Sequence, residues 1–256
     1  GAMIYNIQQA VANFEYVLSF VGLVFVVIIP ILTMRVIAEE RKQKTDQLLY
    51  SLPITTTDVV IGKYLALLVV YLIPLCIVSV YPSIFARYGE VYLPTSYGSI
   101  AAFFIMGAAL IAVGIFISSL TENQGFAAGI AIPVILLNYY SVSLAEHVSA
   151  TAFGSAAALC VFCALLGLVI CILTKDKKMA YAVAVVLAAA VWAAYILNSE
   201  AFEGLLPNMM KKISLFERFY IFVSGVFDLT AIIYYITVIV FFLFLSVQSL
   251  EKRRYN

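Results

Sequence analysis

Charged side chains are scarce in this chain. Only 11% of its 256 residues are charged and 64% are hydrophobic, whereas a soluble domain has about 25% charged residues. The mean hydropathy is +1.07, and the net charge of +1 gives no electrostatic reason to expect nucleic-acid binding. This composition excludes an ordinary soluble domain and places the chain in a lipid bilayer.

Ionisable residues are also missing from the middle of the apolar runs between residues 58 and 197. Proton- and sodium-driven carriers keep such groups inside the membrane as relays or ion ligands, so their absence argues against these carriers and against an intramembrane enzyme. The single histidine, His147, falls in a predicted outer loop. No zinc-ligand spacing, Ser-His-Asp set or phosphate-binding loop is found. We therefore expect no catalytic residue, no metal site and no directly bound cofactor.

Seven apolar runs are each about long enough to cross a bilayer as a helix, which takes about 20 residues. Helix is expected because backbone groups in lipid must be satisfied within their own segment. The predicted fold is all-α and polytopic, with about seven transmembrane helices. The runs cover residues 14–37, 58–86, 97–120, 124–145, 151–174, 179–197 and 229–250.

Lysine and arginine placement predicts the orientation. The loops after the first, third and fifth runs, together with the C-terminal tail, hold eleven of the fifteen basic residues. The positive-inside rule puts these segments in the cytoplasm. An odd number of spans then leaves residue 1 outside, which suggests an upstream helix that this sequence lacks. The predicted location is a bacterial inner (cytoplasmic) membrane. The remaining four basic residues are Arg87, Lys211, Lys212 and Arg218.

One polar stretch, MRVIAEERKQKTDQLLYSLPITTTDVVIGK at residues 34–63, carries nine charged residues. We interpret Glu39–Lys44 as solvated charge. Thr45 is expected to cap a short helix that Pro53 ends. Its apolar residues lie on one face, which fits either a helix resting on lipid headgroups or one that docks a cytoplasmic partner. Those apolar residues are Leu48, Leu49 and Leu52.

Helix starts and breaks are also predicted. Thr121–Gln124 reads as a T-x-x-Q capping box, and Thr55–Asp58 has a similar pattern. Gly125 and Gly129 form a G-x-x-x-G pair, a spacing that allows close helix packing. Kinks are expected at the prolines inside apolar runs. These are Pro30, Pro74 and Pro133.

The polar stretch resembles the ABC-2 family of ABC-transporter permeases, through its E-E-R-K-x-K-T-D-x-L-L-x-x-x-P pattern followed by Gly-Lys. PILTMRVIAEERKQKTDQLL looks most like the gliding-motility-type subgroup. The likeness covers about two-thirds of the chain. It continues through GKYLALL (62–68), GAALIAVGIFISSLTENQ (107–124), SLFERFYIFVSGVFDL (214–229) and YYITVIVFFLFLSVQSLEKRR (234–254).

The resemblance implies an ABC-2 (type V-like) transporter fold and the permease subunit of an exporter. This subunit would pair with a second permease subunit, identical or different. ATP and Mg²⁺ would be bound by separate ATP-binding subunits, docked on a cytoplasmic coupling loop at 38–57 whose helix is Thr45–Leu52. The implied coupling residues are Glu39, Glu40, Thr45, Asp46, Leu48, Leu49, Leu52, Pro53, Gly62 and Lys63.

The resemblance implies that residues 214–229 correspond to the family's outward re-entrant region before the last span, within an outer segment at 198–228. Its aromatic residues fit either a membrane-interface cap or an exit gate for an amphiphilic substrate. The residues expected there are Phe216, Phe219, Tyr220, Phe222 and Phe227.

Three features depart from the family pattern. The N-terminal elbow helix and first span are not visible, residues 151–197 add a helix pair, and Lys44 stands where many relatives have Gly. We treat residues 1–256 as a single permease domain. One alternative function remains open, a non-transporting membrane scaffold that recruits a cytoplasmic protein through the same loop.

Overall fold

The computed structural model describes residues 14–45, 54–87, 92–148, 151–174 and 177–254, and throughout these ranges every regular element is helical. The elements are α1 (Phe14–Thr33), α2 (Ala38–Gln43), α3 (Thr56–Val78), α4 (Tyr81–Phe85), α5 (Leu93–Leu120), α6 (Gln124–His147), α7 (Ala152–Thr174), α8 (Lys177–Leu197), a 3₁₀ turn (Glu200–Phe202), α9 (Leu205–Ile213), α10 (Leu215–Val223) and α11 (Leu229–Arg254).

Each of the seven predicted apolar runs contains a helix. Among the described residues, five helical segments are long and apolar enough to cross a membrane. The count rises to six if Tyr181–Leu197 and Glu200–Ile213, which meet at a bend of 118°, together form one broken span. A count of seven spans stays a prediction. The five segments are Val21–Gln43, Thr56–Phe85, Leu93–Leu120, Gln124–His147 and Leu229–Lys252.

The chain divides into two compact units, and the single permease domain stays a prediction. The first contains residues 1–139 and 215–256, and the second contains residues 140–214. The predicted extra pair at 151–197 lies within the second unit. There α7 packs against α8, the 3₁₀ turn and α9, and Trp192 makes edge contacts with Phe153 and Tyr195.

Helix α5 is the centre of the first unit. It packs against α1, α3, α10 and α11. Most of its apolar length is buried, whereas most of the length of each other candidate span is not. A helix that is apolar on every side is expected in such a position. Its neighbours bury one face each and leave the other exposed, as expected for helices that meet lipid.

Two glycines let neighbouring helices approach α5 closely. A Cβ at Gly107 would overlap the Tyr71 ring and hydroxyl of α3, and a Cβ at Gly114 would overlap the Thr33 side chain of α1. The Tyr71 hydroxyl donates to Phe103 O at 2.8 Å. The predicted contact at Gly125 and Gly129 is absent within the described chain, because a Cβ at Gly129 would meet nothing and one at Gly125 only the side chain of Asn123.

The two predicted helix starts have different outcomes. Thr55 caps α3 in a reciprocal capping box with Asp58, as predicted. The prediction for α6 is wrong, because its cap is Asn123. The Asn123 side-chain oxygen accepts from Gly125 N at 2.9 Å and Phe126 N at 3.3 Å, while Thr121 Oγ1 accepts only from Asn123 N at 3.1 Å.

Candidate functional site

Five of the ten predicted coupling residues lie in the described chain, and they belong to two neighbouring segments. Glu39, Glu40 and Thr45 lie in or just after α2, while Gly62 and Lys63 lie in the second turn of α3. Apart from Thr45, the predicted helix Thr45–Leu52 falls outside the described residues. The other predicted residues outside them are Asp46, Leu48, Leu49, Leu52 and Pro53.

The segment interpreted as solvated charge is a helix, and this corrects the prediction. Glu39 and Glu40 lie in the first turn of α2, while Arg41 and Lys42 lie in its last turn. This order complements the helix dipole at both ends. Arg41 is only 5% exposed, so the segment is not solvated throughout.

Helix α2 ends at Gln43, and the residue after it, Lys44, adopts a left-handed conformation with φ 57°. Thr45 closes the end, because its backbone N–H and its hydroxyl both donate to Glu40 O, at 3.0 and 3.3 Å. Glycine is favoured where φ is positive. The departure from the family pattern at Lys44 therefore costs some backbone strain but preserves the turn.

The junction between α1 and α2 (residues 34–37) is bound to the last turn of α5. The buried Ser118 hydroxyl accepts from Ile37 N at 3.3 Å and Ala38 N at 3.2 Å. It donates to Met34 O at 3.1 Å. One side chain from another helix thus satisfies three backbone groups of the junction.

Lys63 holds the same junction from α3. Its Nζ donates to Val36 O at 2.7 Å and lies 2.5 Å from Glu40 Oε1. The Lys63 side chain is only 17% exposed, so the pair is partly shielded from water. Gly62 is exposed, and a Cβ there would meet no neighbour within 4 Å.

The geometry makes α2 a charged extension of a membrane-length helix, attached on two sides. Ser118 fixes its start to α5, and Lys63 fixes it to α3. A force applied to α2 would therefore reach three long helices. In the described part of the chain no group of His, Cys, Asp and Glu could hold a metal.

At the predicted outer end, α10 lies against α5 and α1. Phe216 and Phe219 are 1% exposed and Phe222 is also buried. Phe219 contacts Phe103 of α5, with ring centroids 5.4 Å apart. These three side chains are core residues in this conformation, whereas Phe227 is exposed and Tyr220 is partly buried, with 36% of its surface exposed.

Both ends of α10 are anchored by side chains from other helices. At its start, Asn138 Oδ1 accepts from Leu215 N at 3.0 Å, and the buried Tyr235 hydroxyl donates to Leu215 O at 2.7 Å. At its end, Ser99 Oγ donates to Phe222 O at 3.3 Å. These hydrogen bonds fix both ends of α10 to other helices of the first unit.

Two polar side chains on α10 face its neighbours. The Arg218 guanidinium lies 4.2 Å from the centre of the Tyr234 ring, a favourable cation–π geometry. Burial raises the pKa of Tyr220, and Tyr139 shifts it in the same direction. The Tyr220 phenol therefore stays neutral at physiological pH.

Sequence reasoning missed Ser118, Asn138 and Tyr235. A serine or tyrosine in an apolar run has no distinctive spacing, so its role depends on which helix it faces. The seven-residue spacing of Gly107 and Gly114 was a usable signal, because it places both on one helix face.

Comparison with known proteins agrees with this architecture. Residues 3–145, more than half of the chain, match the family model described as ABC-2 family transporter protein. The chain belongs to this ABC-2 family. It is thus an ABC-transporter permease, a multi-pass membrane subunit that is not itself catalytic. The matched residues include the polar stretch and Ser118.

No curated protein and no solved structure matches this ABC-2 permease. The match ends before the helix pair at 151–197 and the segment at 198–228. The gliding-motility-type subgroup and the missing first span remain predictions from the sequence.

Proposed function

We propose that this ABC-2 permease is driven by a separate ATP-binding subunit that docks on residues 38–57, and that it exports its substrate. The observation that carries the proposal is the attachment of α2 to α5 through Ser118 and to α3 through Lys63. A docking element needs such a connection if it is to move the spans.

In the proposed cycle, ATP binding closes a pair of ATP-binding subunits and displaces the docked segment. Leu48 and Leu49 supply apolar contact to the partner. Glu39 and Asp46 supply charge complementarity, which fixes register more than it adds affinity. Two permease subunits then change access together, as rigid bodies meeting at an interface can.

The exported substrate is proposed to be hydrophobic or amphiphilic, because the spans between 58 and 197 lack ionisable residues at mid-depth. The α10 region is proposed to act mainly as an outer membrane-interface cap, since its inward aromatic residues are packed. Family membership does not favour the alternative of a non-transporting scaffold.

The test uses the purified permease co-expressed with an ABC ATP-binding subunit from the same organism. Leu48→Asp with Leu49→Asp should abolish co-purification of that subunit. The matched control is Ile196→Asp with Leu197→Asp, which places two carboxylates on exposed residues at the predicted opposite side. Equal co-purification of the two double variants would overturn the docking assignment.

A further inference from the structure

The Ser118 hydroxyl stands in the place of backbone hydrogen bonds that a continuous helix would make. In an α-helix, Ala38 N–H would donate directly to Met34 O. Here Ala38 N–H donates to Ser118 Oγ at 3.2 Å, and Ser118 Oγ donates to Met34 O at 3.1 Å. The hydroxyl is therefore inserted into the backbone ladder between α1 and α2, a recognised cause of helix breaks.

The interruption is confined to about one turn. Before it, Met34 N donates to Pro30 O at 2.8 Å, and after it Glu39 N donates to Arg35 O at 3.2 Å. Within it, Val36 N shifts to Thr33 O at 3.2 Å. Pro30 is not the cause, because the helix continues past it to Thr33.

The Ser118 hydroxyl has no capacity left for other partners. A serine hydroxyl offers one donor and two acceptor sites, and all three are used by Met34, Ile37 and Ala38. The adjacent Ser119 is also buried, but its hydroxyl donates within its own helix, to Phe116 O at 2.7 Å. The chain thus provides a matched control one residue away.

We propose that Ser118 is a positioning residue that fixes the pivot of a hinge between α1 and α2. By holding the ladder open at Ile37 and Ala38, it lets α2 turn as a unit while its start stays fastened to α5. Withdrawal of the hydroxyl lets the ladder close into one continuous helix. The junction therefore has two discrete arrangements, and ATP-driven movement of α2 between them rests on the proposed function.

The experiment measures the distance between spin labels at Val24 on α1 and Gln43 on α2, by double electron–electron resonance on the cysteine-replaced permease with its ATP-binding subunit. In a continuous helix these positions are roughly 28 Å apart, from a rise of 1.5 Å per residue. In the labelled permease without a further substitution (the parent), we expect the distance between the two labels to change when ATP is added. Ser118→Ala should lose that shift, and its distance distribution should become narrower and centre on the continuous-helix distance. Ser119→Ala should behave as the parent.

Ser118→Thr retains a hydroxyl and is expected to restore the shift. An ATP-dependent shift in Ser118→Ala equal to that in Ser119→Ala would overturn the hinge, as would a parent that binds the subunit and shows no shift. A parent that fails to bind the subunit would instead overturn the proposed function. In that case the resting distances still decide the hinge, because identical distributions in the parent and Ser118→Ala contradict it.

Discussion

Lys63 Nζ lies 2.5 Å from Glu40 Oε1 and donates to Val36 O at 2.7 Å. Two residues 23 positions apart thus connect α2 to α3. Replacing Lys63 removes two contacts, the ion pair and the hydrogen bond to Val36 O. Neutralising Glu40 removes the ion pair and leaves that hydrogen bond. The two residues should therefore differ in their contribution to stability.

Lys63→Met should lower the free energy of unfolding by about 1–3 kcal/mol, because it removes the ion pair and leaves Val36 O without its charged donor. Glu40→Gln should cost at most about 1 kcal/mol, since a partly exposed pair contributes little and the bond to Val36 O survives. Thermal or denaturant unfolding in detergent would measure both.

The exchange Glu40→Lys with Lys63→Glu tests the same point. It restores opposite charges but not the donor to Val36 O, so only partial recovery is expected. Lys42→Met, an exposed lysine of α2, is the control. Full recovery of the free energy of unfolding in the exchanged variant would show that the bond to Val36 O contributes nothing. Equal losses in Lys63→Met and Glu40→Gln would show the same.

Gly107→Ala and Gly114→Ala should each destabilise the protein by about 1–3 kcal/mol through overpacking, because the added methyl group would overlap Tyr71 or Thr33. Gly129→Ala is the matched control, since a Cβ there meets nothing within 4 Å. That variant should be neutral or slightly stabilising, given the helix propensity of alanine. If all three variants have the same melting temperature, the close approaches to α5 are wrong.

Tyr235→Phe should destabilise the protein by about 1–3 kcal/mol, because Leu215 O would lose the buried hydroxyl that donates to it. The control is Tyr181→Phe, at a residue 73% exposed. Unfolding midpoints of the two variants should separate clearly. Loss of the same size in Tyr181→Phe would mean that the anchor of α10 is not the cause.

Asn123→Ala should cost about 0.5–2 kcal/mol as the loss of a helix N-cap, and more than Thr121→Ala. Asn123 accepts from two amides of α6, while Thr121 accepts from one amide of the loop. Unfolding experiments on both variants check the order. The reverse order would support the capping box predicted from the sequence.

The helices could be predicted from the sequence because each apolar run is long and lacks charges, and lipid leaves helix as the state that satisfies the backbone. The Thr55–Asp58 cap was predictable because both residues lie within one turn. At residues 121–124 the same reasoning failed, since Asn123 and Thr121 compete for neighbouring amides and a motif alone cannot rank them.

The stretch of sequence that forms the site was predictable, but the contacts between its residues were not. Glu40 and Lys63 belong to the same polar segment, yet their contact depends on how α1 and α3 pack. The role of Ser118 depends on the face that α5 turns toward the junction. The residues Phe216, Phe219 and Phe222 share one helix face by spacing, but only packing shows that this face is buried.

Docking of an ATP-binding subunit on the polar stretch would bring that subunit close to the predicted coupling helix. Photo-crosslinking tests this contact in cells that co-express the permease with an ABC ATP-binding subunit from the same organism. A photo-reactive amino acid is placed at Gln47, within the predicted coupling helix, or at Leu197, on the predicted opposite side. We expect a crosslink to that subunit from position 47 and none from position 197. No crosslink from position 47, or equal crosslinks from both positions, would overturn the docking proposal.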